Sequence, residues 1–164
     1  MMGVFLEELK ILIDSGGILM DKKEKIKNLI IENTSFLKEV GYDNFIEKSD
    51  VWDYTLSYIS SNRDHAIEFE VDYRDLDVFV LVTVLEDGKL PSGYYMNKGK
   101  QVRTHLEKLF ESGKIMDEEW TRIIDIRKEQ KDKNERKIIA LMNEYSTILK
   151  KNINNIQKLC SNEE

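Results

Sequence analysis

The stretch Ile67-Glu68-Phe69-Glu70-Val71-Asp72-Tyr73 alternates apolar and acidic side chains. After the polar link Arg74-Asp75-Leu76 the chain continues as Asp77-Val78-Phe79-Val80-Leu81-Val82-Thr83-Val84-Leu85-Glu86. A period of two sends successive side chains to opposite faces of a strand, so Ile67, Phe69, Val71 and Tyr73 share one face and Glu68, Glu70 and Asp72 the other. In the second run Val78, Val80, Val82 and Val84 are opposed by Phe79, Leu81 and Leu85, so both of its faces must be covered. Upstream, Trp52, Tyr54, Leu56 and Tyr58 share a face at the same period, and Ser61-Asn62-Arg63-Asp64 links that run to the next. Links this short join antiparallel neighbours and cannot make parallel crossovers. The reading is a three-stranded antiparallel meander over about residues 51–86. Asp87-Gly88-Lys89-Leu90-Pro91 ends it, because proline cannot donate to a ladder.

Helices flank the meander. Ile26, Ile30, Asn33, Leu37 and Val40 recur at three and four, with Leu29 and Phe36 widening the stripe and Gly41 as its cap, and residues 42–50 lead away from it. A second helix is predicted over residues 101–112 from Val102, Leu106, Leu109 and Phe110, and Asp117 reads as the N-cap of a third containing Trp120, Ile123 and Ile124. The charged residues 127–137 allow either a bend or an exposed helical stretch. Ile138, Met142, Tyr145, Leu149, Ile153, Ile156 and Cys160 then form a long apolar stripe on a last helix. Packing on the chain's own sheet is the primary reading of that stripe. A homodimer through the last helix is the alternative, although Asn152, Asn154 and Asn155 interrupt a coiled-coil seam. The architecture is α+β, with the meander covered by an N-terminal helix and C-terminal helices including a long last one.

The 164 residues suit one domain, residues 20–164. Asp14-Ser15-Gly16-Gly17-Ile18-Leu19-Met20 admits two readings: residues 1–19 are a translated leader ahead of a start at Met20, or they form a short helix closed by the Ser-Gly-Gly turn. Hydrophobic residues make up 41%, enough for a core, and glycine and proline number only eight and one, which disfavours turn-rich barrels and low-complexity arrays. The longest uncharged apolar run, residues 78–85, is too short for a membrane helix, and Glu7 and Glu8 stand where a secretory signal needs bases. With a single cysteine, the expected setting is cytoplasmic.

Charge is segregated. Residues 53–87 hold nine acids and two bases, a net of −7 against −6 for the whole chain, whereas residues 121–160 carry a net of +5. Such polarity suggests a partner. Glu68, Glu70 and Asp72 stand about 7 Å apart on one strand face. They form either a solvated outer face or an anionic platform for a cationic ligand, with Asp75, Asp77 and Asp87 at its margins. Adjacent Tyr94 and Tyr95, in a link bounded by Gly93 and Gly99, cannot both point inward, so at least one is a candidate contact anchor. The candidate partner-binding set is therefore Glu68, Glu70, Asp72, Asp75, Asp77, Asp87, Tyr94 and Tyr95.

No catalytic constellation emerges. His65 and His105 lack ligand spacing, Cys160 lies on an apolar stripe, and Glu111-Ser112-Gly113-Lys114 lacks the context of a phosphate loop. No metal or other cofactor is expected. The bases Lys128, Lys131, Lys133, Arg136 and Lys137 are interleaved with Glu129, Asp132 and Glu135, which favours a salt-bridged solvent face over nucleic-acid binding.

Residues 36–110, with a leading helix, the acidic meander from Ala66 to Asp75, the turn from Glu86 to Pro91 and a following helix, resemble the small acidic immunity proteins that bacteria encode beside polymorphic or contact-dependent toxins. The resemblance implies a non-enzymatic module that docks an acidic sheet surface on a basic toxin or nuclease domain. The competing classes are a metal-dependent nuclease or hydrolase using the meander carboxylates, and a helical dimerisation scaffold.

Overall fold

A computed structural model describes residues 18–130 and 134–161. The leader question falls on residues that lie, apart from the last two, outside that range. Helix α1, Ile18–Thr34, continues as a short 3-10 turn, Ser35–Glu39. Five antiparallel strands form the sheet in the order β1-β2-β3-β4-β7: β1 Asn44–Ser49, β2 Asp53–Ile59, β3 His65–Asp72, β4 Asp77–Val84 and β7 Arg103–His105. A small hairpin, β5 Met96–Asn97 with β6 Lys100–Gln101, lies between β4 and β7. Helices α2 Leu106–Glu111, α3 Thr121–Glu129 and α4 Glu135–Ser161 complete the chain.

The inner three strands obey the period-two pattern. Tyr54, Leu56 and Tyr58 on β2, Ile67, Phe69 and Val71 on β3, and Val78, Val80 and Val82 on β4 are buried in one core with Ile26, Ile30 and Leu37. The stripe of α4 closes that core: Ile138, Met142, Tyr145, Leu149, Ile153 and Ile156 are all buried on the chain's own sheet and helices. That face is thus taken up within the monomer and offers no seam for a dimer through the last helix.

The opposite sheet face is covered in part by residues 85–102. Leu85 and Leu90 pack on Ile59 and Ala66, and Leu81 is fully buried. Glu86 and Lys89 exchange both backbone hydrogen bonds (2.8 and 2.9 Å) around Asp87 and Gly88, whose φ values of 52° and 75° suit the Asp-Gly hairpin turn.

The structure has five strands in the main sheet where the sequence reading has three, and it adds the β5–β6 hairpin in what reads as a plain link. Residues 42–50 contain a strand, β1, all six of whose residues are exposed, so no alternation of burial marks it. The helix expected over residues 101–112 is confined to Leu106–Glu111, because Arg103–His105 pairs with Leu81–Thr83 as the fifth strand. Val102 is buried as expected, but from an extended backbone rather than a helical one. Asp117 caps the 3-10 turn Glu118–Trp120 that leads into α3, accepting from the Glu119 amide at 2.8 Å, whereas α3 itself begins at Thr121 without a side-chain cap. In the charged region α3 ends at Glu129 and α4 begins at Glu135; residues 131–133 are outside the described range.

Candidate functional site

The acids of β3 divide into one that is internal and two that edge a cleft. Glu68, with 3% exposure, lies beneath the covering loop. It accepts hydrogen bonds from the Ser57 hydroxyl (2.7 Å), the Thr83 hydroxyl and Arg103 Nε (2.7 Å). The same guanidinium donates to the carbonyls of Gly93 (2.8 Å) and Tyr94 (3.0 Å). Glu68 is therefore not part of a docking surface, as the sequence suggested; it anchors the loop that displays the tyrosines. A buried carboxylate needs such partners, since a charge left unpaired away from water is costly.

Glu70 is half-buried and accepts from the Tyr94 hydroxyl. Burial raises its carboxyl above the ordinary value, with the Glu68 charge adding to the rise, while the Tyr94 hydrogen bond and Arg103 act against it. Asp72 accepts from the amides of Arg74 (2.8 Å) and Asp75 (3.2 Å), which closes the β3–β4 turn and leaves the carboxylate half-exposed. Asp75 is exposed at the tip of that turn.

Asp77 is withdrawn from the platform by the basic C-terminal segment: Arg127 Nε lies 3.4 Å and Lys137 Nζ 3.2 Å from its carboxylate. Arg127 also donates to the Val78 carbonyl (2.8 Å) and the Tyr145 hydroxyl (3.1 Å). Asp87 is exposed in the Glu86–Lys89 turn and does not line the cleft.

Tyr94 and Tyr95 are each 45% exposed and meet edge to face, their ring centroids 4.4 Å apart. The Tyr95 hydroxyl is 2.7 Å from His105 Nε2, and the His105 ring stands edge-on to Phe79 at 5.8 Å. Arg103 Cζ lies 5.3 Å from the Tyr94 ring centroid. The tyrosines form one wall of a cleft of about 510 Å³, a size within the range of ligand-binding sites. Glu70, Val71, Phe79 and His105 also line it; Trp52, Asp53, Asp72, Arg74 and Asp75 complete the lining.

Sequence reasoning missed Trp52, Asp53, Arg74, Phe79 and His105. Trp52 shares the parity of the core residues Tyr54, Leu56 and Tyr58, yet it precedes β2 in the turn, is 51% exposed and carries Arg74 Cζ 4.9 Å from its ring centroid. Nothing in its spacing set it apart from them. Four acids and one base in the lining give the cleft a net charge of −3. Aromatic walls and carboxylates together suit an organic cation, above all a guanidinium, which is weakly hydrated and stacks on rings.

Among the described residues, no three His, Cys, Asp or Glu side chains are grouped to hold a metal ion, and no helix is long and apolar enough to cross a membrane. Comparison with protein-family models, with curated proteins and with solved structures yielded no match to this chain.

Proposed function

We propose that this chain is a non-enzymatic protein-binding module of the cytoplasm that inhibits a basic toxin or nuclease domain in the manner of an immunity protein. The observation that carries the reading is the acidic, aromatic-walled cleft with its two half-exposed tyrosines. Asp53, Glu70, Asp72 and Asp75 supply the field that steers a basic surface, while Tyr94, Tyr95 and Trp52 supply rigid area of the kind that anchors interfaces. The docking surface is narrower than the charge count implies, because Glu68 and Asp77 are neutralised internally. The alternative of a metal-dependent nuclease or hydrolase is not favoured by the described residues, which bring no ligand set together.

Affinity capture with the product of the neighbouring gene tests the proposal. Capture should weaken as salt rises, since exposed charges are screened. Asp53→Lys with Asp75→Lys should slow association, whereas Tyr94→Ala with Tyr95→Ala should speed dissociation. Undiminished capture by the quadruple variant would remove the cleft from the interface.

A further inference from the structure

We infer that β1 pairs with β1 of a second copy, antiparallel across a two-fold axis at Ile46, to make one continuous ten-stranded sheet. Strand β1 is the outermost strand, and no described residue pairs with its outer edge. An edge of this kind presents unpaired amides and carbonyls, which natural proteins normally blunt with bulges, prolines or several charges. Here the six residues Asn44–Ser49 are all exposed, run without proline, and pair with β2 in unbroken register. The exposed apolar side chains gather beside it. Of the ten large hydrophobics exposed among the described residues, Phe45 and Ile46 belong to this edge, and Val40 and Val51 stand a few residues before and after it in the chain.

The hydrogen-bond parity selects the register. Asp50 N donates to Asp53 O at 2.8 Å, so the pairs two residues further along, Lys48 with Thr55, Ile46 with Ser57 and Asn44 with Ile59, are the hydrogen-bonded ones. The backbone groups of Phe45, Glu47 and Ser49 therefore point outward. A two-fold ladder must join these odd-numbered residues to odd-numbered residues. An axis at Glu47 would oppose two carboxylates, one at Lys48 two ammonium groups, and one at Phe45 would set Asp43 opposite Glu47, all unfavourable.

An axis at Ile46 instead sets Ile46 on Ile46 of the second copy in a close, non-hydrogen-bonded pair and sets Lys48 opposite Asn44. It sets Phe45 opposite Glu47, and Lys38, whose Nζ lies 4.5 Å from the Phe45 ring centroid, is then placed beside the Glu47 carboxylate of the second copy. A second copy is thus a better fit than a foreign strand, because this edge is complementary to itself in one register.

A ladder of five residues per chain, 44–48, is shorter than a permanent interface needs, so the dimer should be concentration-dependent. Analytical ultracentrifugation of the full chain up to millimolar concentration should show a reversible monomer–dimer equilibrium. Ile46→Lys and Ile46→Glu should each be monomeric with unchanged circular dichroism, and their equimolar mixture should dimerise again, since the two side chains meet at the axis. A wild-type chain that stays monomeric overturns the inference. So does a dimer that survives Ile46→Lys, or a mixture that fails to restore it.

Discussion

Replacing Arg103 by Met removes the one cation among the described residues that reaches Glu68 while keeping an aliphatic stem of similar length. The pair is well enclosed: the Arg103 side chain is 11% and the Glu68 side chain 4% exposed, at 2.7 Å. Taking one partner from a buried pair typically costs about 3–5 kcal/mol, chiefly because the remaining charge is stranded. The Ser57 and Thr83 hydroxyls still donate to Glu68, so the loss should fall near the lower bound, about 3 kcal/mol. For a chain of this size that corresponds to a drop in Tm of roughly 6–12 °C. The bonds to the Gly93 and Tyr94 carbonyls disappear in the same step, so the tyrosine loop should loosen. Urea denaturation at pH 7 measures the cost. The decisive comparison is Glu68→Gln combined with Arg103→Met: a neutral amide is far cheaper to bury than a lone carboxylate, so the double variant should be more stable than Arg103→Met alone. A single variant within about 1 kcal/mol of wild type, or a double variant no better than the single one, would refute the view that Glu68 is an internal anchor.

Two further outcomes follow from the same loop. Gly93→Ala should disorder the tyrosine wall without unfolding the meander, because a Cβ there would stand 2.0 Å from the Met96 carbonyl oxygen; chemical-shift changes confined to residues near 90–105 would show it. Glu70→Gln should stabilise the chain at neutral pH and lose that advantage in acid. A carboxyl raised by burial contributes stability below its unfolded pKa and forfeits it as pH rises through the folded value, and the amide still accepts from Tyr94. Denaturation midpoints for both proteins between pH 4 and 7 measure this, and a constant difference across the range would count against it.

How far the sequence reveals the fold depends on whether a residue's burial is periodic. The core faces of β2, β3 and β4 and the stripe of α4 were legible because each buries one regular face. Strand β1 buries nothing, so period two left no trace in Asn44–Ser49. Strand β7 is three residues long, and Val102, Leu106, Leu109 and Phe110 around it have the spacing of a helix. At the site, Glu70, Asp72, Asp75, Tyr94 and Tyr95 were legible and do line one cleft. The parity that grouped Glu68 with Glu70 carries no information about Arg103, 35 residues away, and none about the loop laid over that face. Charge counting misplaced Asp77 for a similar reason: its counterions come from α3 and α4, not from its own hairpin.

The treatment of Asp77 also bears on why the two ends of the sheet differ. Strand β4 extends past β7, which pairs only with Leu81–Thr83, and so would leave its first residues with an unpaired edge. Arg127 closes that gap, donating to the Val78 carbonyl, pairing with Asp77 and stacking over Phe79 at 5.2 Å, while Tyr145 from the long helix donates to Glu107 and accepts from Arg127. Burial opposes the charge on Arg127, yet the Tyr145, Asp77 and Glu107 oxygens around it hold its pKa above the ordinary value, so the cap stays cationic. Part of the C-terminal basic excess is thus spent on sealing one edge. At the other end, Lys23 donates to the Val51 carbonyl at 2.6 Å in the turn and Lys27 lies 3.4 Å from Glu47, but no described side chain bonds the outward backbone of Phe45, Glu47 or Ser49. A protein that seals the short exposed part of β4 with a half-buried cation network and, among its described residues, leaves the outer edge of β1 bare has an edge open to a strand. The self-complementary register at Ile46 makes that strand a second β1.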